Sequence, residues 1–129
     1  MLLFGHRFIQ SESFYHISNI DAITNTPPSS TIYFKFSEEN IDIINHANLN
    51  HIPMALSVKT IQELIYASSL NASYMIIDKE MAKTAHDIAQ NYLFDAKVLV
   101  KISEDEDIEE MAILGVDGVI YSSAIIKVV

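Results

Sequence analysis

The run "KVLVKI" (97–102) is apolar except for its lysines, and the second of them, Lys101, is placed where chemistry could be done. Partial burial disfavours a charged ammonium and lowers its pKa, which suits a lysine to Schiff-base or general-base work, here with Asp78 from the end of the preceding apolar run "YMIID". The alternative that needs no chemistry is a lysine snorkelling to solvent or pairing with Asp78. Other polar residues fall at the ends of apolar runs in the same way: Ser37, Ser57, Lys59, Lys79, Ser103, Tyr121 and Ser122. In parallel α/β proteins ligands bind beyond the carboxyl ends of the strands, so these positions are candidates by placement alone.

Several chemistries are excluded or left without a signature. With no cysteine, there is no thiolate nucleophile, disulfide framework or Cys-ligated metal. The histidines at 6, 16, 46, 51 and 86 form no i, i+4 pair and no His-x-His. The acids from Glu104 to Glu110 lack the turn residues of a calcium loop and suit a helix N-terminus, which attracts negative charge. No G-x-G-x-x-G, P-loop or G-x-S-x-G motif occurs. Neither a cofactor nor a metal is expected.

The elements that must position these residues recur with a period. "TIYFKF" (31–36), "IPMALSV" (52–58), "YMIID" (74–78), "KVLVKI" (97–102) and "GVIY" (118–121) start about 21 residues apart and alternate with four helical patterns. Helical stripes are expected at Ile41, Ile44 and Leu49; at Ile61, Leu64, Ile65 and Leu70; at Met81, Ala85, Ile88, Ala89 and Tyr92; and at Ile108, Met111 and Ala112. Thr60 with Glu63 and Ser103 with Glu106 fit the capping box, and Gly115 is expected to close the last helix in the left-handed region. The fold class is α/β, a parallel sheet of about five strands alternating with helices, in a single domain of residues 1–129. Residues 1–30 form an irregular or short-strand segment and 31–129 the βα repeats.

One face of these strands is wholly apolar (Ile32, Phe34, Phe36; Met54, Leu56, Val58; Val98, Val100, Ile102). The other is mixed (Tyr33, Lys35; Ala55, Ser57; Leu99, Lys101). A (β/α) barrel covers only its outer face with helices, whereas a doubly wound sheet covers both. A shortened barrel-like sheet and a flavodoxin-like one are both compatible with this pattern. Tyr33, Ala55, Met75, Ile77, Leu99 and Ile120 would leave an uncovered apolar face, from which a homodimer is expected.

The ending "LGVDGVIYSSAIIKVV" resembles the last strand and helix of the phosphate-binding (β/α) barrels, closest to the tryptophan synthase alpha subunit family. Gly115, Asp117, Gly118, Val119, Ile120, Ser123, Ala124, Ile125 and Lys127 match in place, and Ser122 stands where that motif has a glycine. The resemblance implies phosphate binding by backbone amides near Ser122 and Ser123. The segments "FGHRF" and "GVDG" are similar to glycerophosphodiester phosphodiesterases at His6, Arg7, Gly115, Val116, Asp117 and Gly118, with Phe8 in place of that family's glycine. That resemblance implies a histidine acting in catalysis.

A formal net charge of −9, from 8 basic and 17 acidic residues, repels nucleic acid and anionic membranes. No apolar run reaches the length of a bilayer span, and a cytoplasmic location is expected. The function expected is a non-catalytic small-ligand or protein-binding domain, with Ser122, Ser123, Ser57 and Lys59 as the positions open to an anion or phosphorylated ligand. A small lyase or hydrolase using Lys101 and Asp78 on a phosphorylated metabolite is the alternative.

Overall fold

A computed structural model describes residues 1–128. Its eight strands are β1 (Leu2–Phe4), β2 (Phe14–His16), β3 (Thr31–Lys35), β4 (Met54–Ser57), β5 (Tyr74–Asp78), β6 (Lys97–Lys101), β7 (Gly118–Ile120) and β8 (Ile125–Lys127). The helices are α1 (Ile41–Leu49), α2 (Ile61–Ser69), α3 (Ala82–Tyr92) and α4 (Asp107–Leu114), with short 3-10 turns between. All pairings are parallel, and the strand order is β1-β7-β6-β5-β4-β3-β2-β8. The class is the expected α/β alternation, with eight strands in place of about five. From β2 to β7 the order is sequential around a curled sheet, the barrel-like arrangement and not the flavodoxin-like one. The three added strands are each three residues long: β1 and β2 fall in the segment expected to hold irregular structure or short strands, and β8 is too short for a hydrophobic period to reveal.

The outer face carries Ile32, Phe34, Met54, Leu56, Met75, Ile77, Val98, Val100 and Val119, packed with Ile44, Leu64, Ala85 and Met111 from the helices. The inner face has its own cluster of Phe4, Phe14, Tyr33, Ala55, Ile76, Leu99, Ile120 and Ala124. Curling brings strands from opposite ends of the pairing order together: the Phe4 ring lies 5.1 Å from Phe14 and 5.7 Å from Tyr74, and Phe14 lies 4.9 Å from Tyr74. The mixed face is therefore filled from within the chain. Tyr33, Ala55, Leu99 and Ile120 do lie on it, but Met75 and Ile77 face the helices, and all six are buried. The exposed apolar face from which a homodimer was expected does not exist.

Local signals explain the helix ends. Thr60 Oγ1 accepts from the Glu63 amide at 3.1 Å, and Glu63 Oε1 accepts from the Lys59 amide at 2.8 Å, as a capping box requires. Ser103 and Glu106 make no such box, because α4 begins at Asp107 without a side-chain cap. Gly115 takes φ +91° and its amide reaches Met111 O at 3.1 Å, with Val116 buried behind it. The helices bury less than the full stripes expected. Leu49, Ile65, Tyr92 and Ala112 are exposed, and the smaller Ala47, Ala67 and Ala82 take inner positions where helix and sheet approach closely.

The ends of the sheet demand two glycines. A Cβ on Gly118 would stand 2.6 Å from Leu2 O, so its absence is what lets β1 lie against β7. Gly5, at φ +86°, lies under the Ser122–Ala124 turn, where a Cβ would come within 2.7 Å of Ser123 Oγ. The Ser123 hydroxyl donates to Gly5 O at 2.8 Å and fastens the turn to the end of β1.

Phe14 is fully buried between Phe4 and Tyr74. Phe14→Ala should cost about 3–5 kcal/mol by urea denaturation, the range for an aromatic removed from a packed core. A loss below about 1 kcal/mol would show that the inner face is not a close-packed core.

Candidate functional site

Five consecutive strands end on an inward polar residue: His16 on β2, Lys35 on β3, Ser57 on β4, Asp78 on β5 and Lys101 on β6. Side chains alternate along a strand, so each stands one step above an inner-core residue two positions earlier, namely Phe14, Tyr33, Ala55, Ile76 and Leu99. β8 repeats the rule, with Lys127 two positions after Ile125 and paired in register with His16. Where the apolar filling stops, a cleft of about 390 Å³ opens, floored by Tyr33 and Ile76 and walled by these polar groups and Lys59.

The charge in this cleft runs against that of the whole chain. Lys35, Lys59 and Lys101 line it against one carboxylate, Asp78, and none of these four makes an ion pair within 4 Å among the described residues. Burial, then the positive charges of Lys127 and Lys101, hold the His16 imidazole below its ordinary value of 6.5. Its ring packs edge-on against Tyr33 at 5.0 Å, which fixes its orientation.

The candidate residues are partly brought together. Lys101, Asp78, Ser57 and Lys59 share the cleft. Ser122 lines a neighbouring depression of about 490 Å³ that has Asp78 and Lys101 as its shared wall. Ser123 is engaged with Gly5, and the helix that should present amides to a phosphate is a three-residue 3-10 turn. Lys101 is solvent-exposed, unlike the partly buried lysine expected for Schiff-base chemistry. His16, Tyr33, Lys35 and Lys127 are the lining or neighbouring groups that were not foreseen as site residues. Tyr33 and Lys35 already stood on the mixed face, while His16 and Lys127 sit on three-residue strands that carry no alternation to show which way a side chain points.

A second cluster gathers around Asp105, between β6 and α4. Tyr121 Oη donates to it at 2.5 Å, Arg7 Nη1 at 2.9 Å, and His6 Nε2 lies 3.3 Å away. The Phe8 amide donates to His6 Nδ1 at 3.1 Å, so that nitrogen is an acceptor and the ring proton belongs on Nε2, facing Asp105. Within the chain, both ring nitrogens are thus engaged, and the side chain is only 7% exposed. Asp117, from the same "GVDG", accepts the Val98 amide at 2.8 Å and its carbonyl accepts the Leu2 amide at 2.9 Å. It pins the starts of β6 and β1.

The hydrogen bonds from Tyr121 and Arg7 hold the Asp105 carboxyl down at about 2, and burial and the bond to Asp105 push Tyr121 up to about 12. A depressed carboxyl contributes stability above its unfolded value near 3.8, lost as pH falls toward about 2. Tyr121→Phe should therefore flatten the fall in urea midpoint between those two pH values. An unchanged acid limb would remove Asp105 as its cause.

No protein-family model matches this sequence and no curated protein is similar to it, so the chemistry of the cleft carries the functional reading.

Proposed function

We propose that the protein is a small-ligand-binding α/β domain whose cleft, at the carboxyl ends of β2 to β6, takes an anion. One observation carries the reading: in a chain of net charge −9, the inward strand ends gather Lys35, Lys101 and Lys127 around His16, with Lys59 alongside. Like charges held together without partners repel one another, and an anion entering among them relieves that repulsion. Elsewhere the basic residues at this end of the sheet are spoken for, Arg7 by Asp105 and Lys79 by Asp107. The cleft volume lies toward the small end of ligand sites, matching a small metabolite. No burial of Lys101 or Asp78 supports a catalytic role, and the reading is one of binding.

Sulfate is a suitable probe because its charge is constant across the range in which histidine titrates. At ten times its dissociation constant it should stabilise the protein by about 1.4 kcal/mol, seen as a rise in Tm over chloride at equal ionic strength. Lys35→Gln with Lys101→Gln should abolish that rise. An anion among Lys101, Lys127 and His16 favours the imidazolium, so binding should tighten as pH falls from about 7.5 to about 5.5, and His16→Gln should level the trend. Equal Tm in sulfate and chloride at every pH would defeat the reading.

A further inference from the structure

The lysines do not account for Asp78. It stands at the N-cap of the Lys79–Met81 turn, where an aspartate ordinarily accepts a backbone amide, yet its side chain caps nothing. It is paired in register with Lys101 on the adjacent strand, yet the two make no ion pair within 4 Å. Its carboxylate has no hydrogen-bond partner among the described residues, and it borders both the main cleft and the neighbouring depression.

A bare anion gains nothing from such a group and is repelled by it. A carboxylate accepts only, so its complement is an N–H or O–H donor, best a cationic one. The cleft consequently has two poles. The positive pole is formed by Lys35 and Lys127, on β3 and β8 about the His16 imidazole, with Lys59 and Lys101 completing the anion's surroundings, and the negative pole is Asp78 on β5. Two strand spacings, about 10 Å along the sheet, separate Asp78 from Lys35, and both side chains reach inward from there.

Resting on the anion-site reading, we infer that the ligand is a small phosphate monoester or comparable organic anion that also carries an ammonium or hydroxyl group, and that Asp78 selects for that group. Inorganic phosphate or sulfate then occupies only half of the site. Asp78 is a specificity residue in this arrangement.

Ethyl phosphate and phosphoethanolamine test this, since they share size and phosphate and differ in the donor. By calorimetric titration, phosphoethanolamine should bind about tenfold more tightly, a modest gain because Asp78 is solvent-exposed. Asp78→Asn should equalise or reverse the order while leaving ethyl phosphate bound at least as well as before, since a repelling charge is removed. 2-Hydroxyethyl phosphate should fall between the two. If ethyl phosphate and sulfate bind but phosphoethanolamine binds no tighter, or its advantage survives Asp78→Asn, this inference is overturned and the anion site stands. If none of these ligands binds, both fall.

Discussion

A parallel sheet has two faces to bury, and here four helices cover only one of them. The other must be filled by the sheet itself, and the whole architecture follows from how that is done. Phe4 and Phe14, from strands near opposite ends of the pairing order, meet Tyr74 in the middle, and the sheet must curl for them to do so. Strands of three to five residues allow an apolar layer only a step or two deep. Above it there is no more side chain to bury, and the next inward positions are polar. The cleft is thus the upper boundary of the core, and its place in the molecule is set by packing before any ligand is considered.

Much of this was legible in the residues. Alternation of Tyr33 with Lys35, Ala55 with Ser57 and Leu99 with Lys101 already separates an inner face from an outer one, and the βα period supplies a parallel sheet. The register of β5 was not legible, because "YMIID" is apolar at four successive positions and offers no alternation to read. Short strands were open to expectation in residues 1–30, where β1 and β2 fall, but β8 was not, and the pairing of all three is decided by contacts with distant strands. That explains why the inner face looked uncovered. Half of the site was visible in the same way: Lys101, Asp78, Ser57 and Lys59 end long runs, whereas His16 and Lys127 end short strands that the pairing of the curled sheet defines. The "GVDG" and "FGHRF" segments, which attract attention as motifs, turn out to be joinery. Asp117 and Gly118 seat β1, and His6 and Arg7 are bound to Asp105.

Charge is sorted along the same axis. Acids crowd the first turns of the helices and the turns before them, as at Glu38, Glu39, Asp107, Glu109 and Glu110, where helix dipoles favour them. They belong to the helices and turns on the outer side of the curled sheet, while the inward strand ends hold the lysines with the one acid Asp78. On the binding reading proposed above, an acidic exterior around a basic cleft would keep nonspecific polyanions at a distance and still present a positive well to a ligand small enough to enter.

The way β1 is seated also governs when the molecule can form. Leu2 pairs with Gly118, and the turn at Ser123 is fastened to Gly5 across 118 residues of chain. During synthesis the first strand has no neighbour until Gly118–Ile120 has been made, so Phe4 waits exposed while the middle strands assemble in order. Such distant pairings raise contact order and slow the final step of folding. Until β7 is made, the middle strands present an inner apolar face without Phe4, and exposed apolar surface of that kind favours aggregation.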